Sequence, residues 1–189
     1  MMQLLYEPLP DSIPVGGSDR EILTDFRDWL KFGDLLKDDA LKDAEKLDFM
    51  RNWFVEIPDE MTAEMFIGLR DFCVTKALEP DREETEQDGL RKPPTFDFRL
   101  DAAFVIADFL RFYNVNLLTI AYLHWWEFMS LLRALPDESQ VFRRIAIRSA
   151  DLSKITDKDR KRAVMEAQIR IAIPFELDDF AIGAAFAAL

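Results

Sequence analysis

The sequence predicts an all-α protein, a single compact bundle of seven or eight helices. Three observations carry that expectation. Apolar residues recur at three- and four-residue intervals in one segment after another, as the 3.6-residue helical period requires. Capping residues stand in front of several of these segments, and prolines follow them. β-branched residues cluster only once, at Ile169 to Ile173, in a helix-favouring context. A chain of 189 residues can bury one core, or at most two very small ones.

The elements follow in order. The start is punctuated by Pro8, Pro10 and Pro14 and by Gly16-Gly17. Thr24 is placed to cap a first helix through Phe26, Trp29, Leu30 and Gly33, with Asp25 in its positive first turn. A second helix runs through Ala44, Leu47, Met50, Trp53, Phe54 and Ile57 and stops before Pro58. Thr62 opens a third, with Met65, Phe66, Leu69, Phe72 and Cys73 on one face. The stretch from Glu79 to Pro94 holds six acids, three bases, a Gly and three prolines, and its one large apolar residue is Leu90. It reads as a mobile acidic loop, about 79–95, inside one domain.

A fourth helix spans about Asp97 to Tyr113, with Phe98, Ala102, Val105, Ile106 and Phe109 inward and Phe104 and Phe112 widening the arc. The fifth, about Leu117 to Leu135, is apolar almost all round and belongs in the centre of a bundle or between subunits. Asp137 or Ser139 starts a short sixth helix through Val141, Phe142 and Ile145. Thr156 with Asp159 approximates a capping box for a seventh, through Val164, Ala167 and Ile171, before Pro174. One helical domain therefore covers residues 1–174. A C-terminal amphipathic helix, 175–189, follows, and it can pack on its own core or dock in trans.

Charge narrows the function classes. The net charge is −12, which opposes binding of nucleic acid or of an anionic membrane by the whole surface. Its distribution is uneven. Residues 1–140 hold 15 basic and 29 acidic side chains, whereas residues 141–174 hold 9 basic and 4 acidic. That basic segment, with Arg160, Lys161 and Arg162 at its centre, reads first as a solvated face and second as a docking patch for another copy or an acidic partner. No apolar run reaches the length of a membrane-spanning helix. The opening Met1 to Pro8 lacks the pattern of a signal peptide, so the expected location is the cytoplasm.

Chemistry is sparse. One Cys leaves no internal disulfide, and one His leaves no site built on two imidazoles. His124 lies one turn from Glu127, and Asp97, Asp101 and Asp108 share a face with Arg111 one turn on. Carboxylates at that spacing can hold a cation. Placement in a first turn, or pairing of Asp101 or Asp108 with a buried arginine, explains them more simply. There is no phosphate loop and no nucleophile elbow. The expectation is a non-enzyme without metal or cofactor. Candidate partner-binding residues are Leu177, Phe180 and Phe186 on the tail stripe, Trp125 and Trp126 on the fifth helix, and Arg160, Lys161 and Arg162.

Six segments, in order, carry a family resemblance: LLYEPLP at residues 4–10, TDFRDWLKF at 24–32, DFRLDA at 97–102, FLRFYNVNL at 109–117, HWWEF at 124–128 and RIAIRSADLSK at 144–154. Together they resemble the phage "Gp-fifteen" family of siphophages and prophages of Gram-positive bacteria, over nearly the whole chain to about Pro174. The resemblance implies a helical protein of the tail module, and similar proteins act as tail assembly chaperones. Such a protein binds the tape-measure protein until tube subunits replace it and is missing from the mature virion; the basic segment and the apolar stripes point separately to a homo-oligomer. A structural tail or head–tail connector component is the alternative, and a metal-dependent hydrolase is the third reading.

Overall fold

The structure is a computed structural model and describes residues 6–75 and 93–174. These residues group into two compact units where the sequence suggested one bundle: 6–75 with 119–133, and 93–118 with 134–174. Seven α-helices lie within them, so the protein is mostly helical. It is not purely all-α, because a small two-stranded antiparallel sheet precedes the first helix.

That hairpin, β1 (Ser12–Val15) and β2 (Ser18–Glu21), belongs to the first unit. Gly16 and Gly17 form its two-residue loop, with φ of +59° and +80°, between the paired Val15 and Ser18. Two consecutive left-handed residues match the twist of a tight hairpin, and glycine reaches that region without strain. Ile13 and Val15, two residues apart, are both buried. β1 packs on α3 at Gly68, where an added Cβ would lie 2.7 Å from the Ile13 Cδ1.

Helices α1 (Phe26–Leu36), α2 (Asp43–Met50), α3 (Ala63–Cys73) and α5 (Trp125–Arg133) complete the first unit. Its core is aromatic. Phe26 stacks on Phe128 with ring centroids 4.8 Å apart, Trp29 lies 4.6 Å from Phe72, and Phe32 and Leu69 have no exposed surface. Each such large side chain contributes roughly 1.5–3 kcal/mol on burial.

Three sequence expectations change here. The cap of α1 is Asp25, whose carboxylate accepts from the Arg27 N–H, while Thr24 bonds Tyr122 through its hydroxyl. The second helix ends at Met50, followed by one 3₁₀ turn over Arg51–Trp53. Phe54 instead bridges Ile22, with the Leu23 N–H on the Trp53 carbonyl at 2.9 Å. The fifth helix begins only at Trp125. Asn116 turns the chain by accepting from the Leu118 N–H, and His124 pairs with Asp25 in a second bridge. Backbone pairing across the fold thus overrides helical periodicity in both places.

The second unit packs α4 (Ala102–Tyr113), α6 (Gln140–Ser149) and α7 (Lys158–Ile171) around Val105, Phe109, Leu117, Leu135 and Val141. A turn over 97–101 replaces the expected first turn of α4, and Asn114 closes the helix at φ +54°. Ser139 caps α6 by accepting from the Phe142 N–H. Asp157 caps α7, where Thr156 with Asp159 had been expected, accepting from the Arg160 N–H at 2.6 Å. No helix among the described residues is long and apolar enough to cross a membrane.

Candidate functional site

His124 is 5% exposed and both of its ring nitrogens are engaged. Nδ1 accepts from the Trp126 N–H at 3.0 Å, so Nε2 carries the proton and donates to the Pro10 carbonyl at 3.0 Å. The imidazole therefore caps α5. Burial pulls its pKa below the ordinary 6.5, against the opposing pull of the Pro10 carbonyl, Glu127 and Asp11. A ring spent on two internal bonds has no lone pair left for a metal or a substrate.

The acidic face of the fourth helix resolves into three separate jobs. Asp97 stabilises its own turn by accepting from the Arg99 and Leu100 N–H groups. Asp101 is 1% exposed and receives Arg144 Nε on Oδ1 at 2.8 Å and Arg148 Nη2 on the same oxygen at 2.9 Å. Burial alone would raise its carboxyl. The hydrogen bonds from Arg148, Arg144 and the Asp97 N–H outweigh burial and hold the carboxyl below the usual value. Arg148 also donates to the Thr95 and Ile171 carbonyls, so one side chain ties the turn before α4 to the end of α7. Asp108, equally buried, accepts from the Val141 N–H in the first turn of α6 at 2.9 Å, where a helix dipole favours negative charge. Among the described residues no three His, Cys, Asp or Glu side chains are grouped to hold a metal ion.

Trp125 and Trp126 are buried, with indole N–H groups donating to the Cys73 and Phe72 carbonyls at 2.8 and 3.0 Å. Both indoles thus cap the last turn of α3 instead of facing outward. Arg160, Lys161 and Arg162 are exposed along α7. Leu177, Phe180 and Phe186 lie outside the described residues, as does the acidic loop except for residues 93–95.

Sequence reasoning missed two apolar surfaces. On the second unit, Leu100 in the turn before α4 and Ala103, Ala107 and Leu110 on the helix face solvent at three- and four-residue spacing. On the first unit, Leu36, Leu47, Met50, Met61 and Phe66 line an open groove of about 490 Å³ between α1, α2 and α3, with Asp43 and Lys46 at its wall. These four residues were legible as a second apolar stripe behind the buried one. The groove was not, since it combines three helices whose packing no local pattern specifies.

The chain matches no curated protein and no solved structure significantly. A family model described as "Bacteriophage Gp15 protein" matches residues 5–172, an interval that contains every helix and strand described above. The chain therefore belongs to the bacteriophage Gp15 protein family, as a structural or morphogenesis protein of a bacteriophage.

Proposed function

We propose that the protein is a non-enzymatic tail assembly chaperone, which holds the tape-measure protein in the host cytoplasm during tail morphogenesis and is left out of the mature virion. The observation that carries this reading is the outward stripe of α4 and the turn before it. Leu100 and Leu110 are each about half exposed (50% and 49%), and Ala103 and Ala107 between them leave room for another helix to approach closely. A tape-measure protein is a long helical chain with apolar stripes of its own. A helix with large and small apolar residues at these intervals fits such a client. The −12 charge supplies the solubility that a complex with such a client needs.

Co-expression with the tape-measure protein of the same phage tests this. Soluble client should rise several-fold with the natural chain and fall back with Leu110→Asp, which alters an exposed side chain. Unchanged solubility in the presence of the natural chain would sink the reading. Mass spectrometry of purified virions separates the chaperone from a built-in tail or connector component, since a chaperone should be missing there.

A further inference from the structure

The two ends of the described chain carry surfaces that complement each other. On α7, Lys158, Arg162, Met165 and Ile169 fall within one narrow arc of the helix, spaced by four, three and four residues. The opposite arc, Val164, Ala167, Gln168 and Ile171, turns inward, and Gln168 donates to the Ile147 and Ala150 carbonyls at the end of α6. The outer arc is open, with Ile169 71% and Met165 44% exposed. α7 carries five basic and two acidic residues over 158–171. It therefore presents apolar knobs flanked by positive charge.

The groove between α1, α2 and α3 has the reverse character. Its floor is Leu36, Leu47, Met50, Met61 and Phe66, and Asp43 and Lys46 stand at its wall, with the Lys46 ammonium donating to the Leu36 carbonyl at 3.0 Å. The segment that forms this wall, residues 34–48, holds six acidic and three basic side chains. The described part of the first unit carries twice as many acids as bases, 18 against 9, whereas the second has 9 acids and 11 bases. An apolar groove in an acidic setting is thus matched, in the same sequence, by an apolar helix face in a basic setting.

We infer that α7 of one copy seats on the α1–α2–α3 groove of a second copy, giving head-to-tail assembly. Met165 and Ile169 enter the groove, and Arg162 faces the acidic wall at Asp43. The two surfaces differ, so the contact is heterologous. Each copy keeps one groove and one α7 free, and growth continues until a ring closes or a filament extends. Opposite charges set the register and speed encounter, and the apolar residues supply the burial. The inference does not depend on the chaperone reading, because it concerns the purified chain without a client.

The test uses sedimentation velocity on the full chain and two charge reversals, Arg162→Glu and Asp43→Lys. The Arg162 side chain is 77% exposed, and Asp43 is exposed at the start of α2. The natural chain should form concentration-dependent species larger than a dimer at low ionic strength. Each variant alone should associate about tenfold more weakly or worse. In a mixture of the two, the α7 of the Asp43→Lys chain meets the unaltered groove of the Arg162→Glu chain, and the reversed α7 meets the reversed groove with opposite charges again. The two chains should therefore co-assemble in alternation into species larger than a dimer. Should Asp43→Lys disturb α2, Leu47→Gln in the groove floor takes its place, with circular dichroism as the folding control; it restores no charge pair, so its mixture with Arg162→Glu should stop at a dimer. A natural chain that stays monomeric at all concentrations overturns the inference. So do variants that assemble like the natural chain, and a mixture that fails to pair.

Discussion

Asp25 and His124 face each other across an antiparallel bridge, and each caps a helix on its own strand of it. The Phe26 N–H donates to the Leu123 carbonyl at 2.9 Å and the Trp125 N–H to the Thr24 carbonyl at 2.8 Å. Outside that pair, Asp25 accepts from the Arg27 N–H at the start of α1, and His124 Nδ1 from the Trp126 N–H at the start of α5. Arg27 then braces the joint, bonding Asp25 and the Ile120 carbonyl together. Two helices far apart in sequence are thereby started from one point.

The pairing makes the first unit sensitive to acid. Nδ1 must stay unprotonated to accept from Trp126, and burial already depresses the imidazole below 6.5. The unfolded chain therefore binds a proton before the folded one does. This part of the stability is complete above about pH 6.5 and is lost as pH falls through the lower folded value. His124→Asn, which keeps an accepting oxygen at the cap, should flatten the loss when urea midpoints are compared from pH 7 to pH 5. An unchanged slope in the variant would place the acid sensitivity elsewhere.

The second unit is fastened by Asp101. Removing a buried carboxylate that holds two arginines leaves uncompensated charge, so Asp101→Ala should cost about 3–5 kcal/mol in urea unfolding. Arg148→Ala should cost more than Arg144→Ala. The Arg148 side chain is 4% exposed and bonds Asp101, Thr95 and Ile171, whereas that of Arg144 is 20% exposed and also rests over the Phe104 ring. The carboxyl sits below its usual value, so its contribution is full above pH 3.8 and fades as pH drops through the folded value. Equal costs for the two arginines would contradict the unequal bonding.

How far these features were legible differs residue by residue. The inward faces of α3 and α4 follow from spacing alone, because Met65, Leu69, Phe72, Val105 and Phe109 obey one helical period and all are buried. The hairpin was missed although Gly16-Gly17 announces a two-residue loop. Its strands are only four residues long, and the proline in one and the charges in the other hide their alternation. Arg144 and Arg148 read as part of a basic solvated segment. The sequence pointed to Asp101 or Asp108 as the partner of a buried arginine, but which acid and which arginine depends on how α6 crosses α4. The bridges at Ile22–Phe54 and Asp25–His124 join residues more than thirty positions apart, beyond the reach of any local pattern. The candidate surfaces divide in the same way: exposure of Arg160 to Arg162 agrees with the charge run, whereas Trp125 and Trp126 turn inward to bond α3.

Cys73 is predicted to be a slow thiol. Burial pushes its pKa up to about 11, and it lies at the end of α3, where the helix dipole disfavours a thiolate. At pH 8 the native protein should react with a disulfide reagent at a small fraction of the rate seen in urea. A native rate matching the unfolded one would show that the last turn of α3 is open.

Trp125 and Trp126 offer a sharper comparison, because both are buried indoles aimed at the same helix end. The Phe72 carbonyl takes the Trp126 indole at 3.0 Å and also the Thr75 N–H at 3.1 Å, so Trp126→Phe leaves it one partner. The Cys73 carbonyl takes the Trp125 indole at 2.8 Å. Each substitution removes a hydrogen bond of about 1 kcal/mol and opens a void where the second ring stood. Trp125→Phe should be the costlier by about 1 kcal/mol, since among the described residues no backbone N–H outside the helix donates to the carbonyl it abandons, whereas Phe72 keeps that of Thr75. Urea unfolding of the two variants, followed by far-ultraviolet circular dichroism, decides the order. If Trp126→Phe proves the more damaging, ring packing against Phe72, at 5.2 Å between centroids, outweighs the capping of α3.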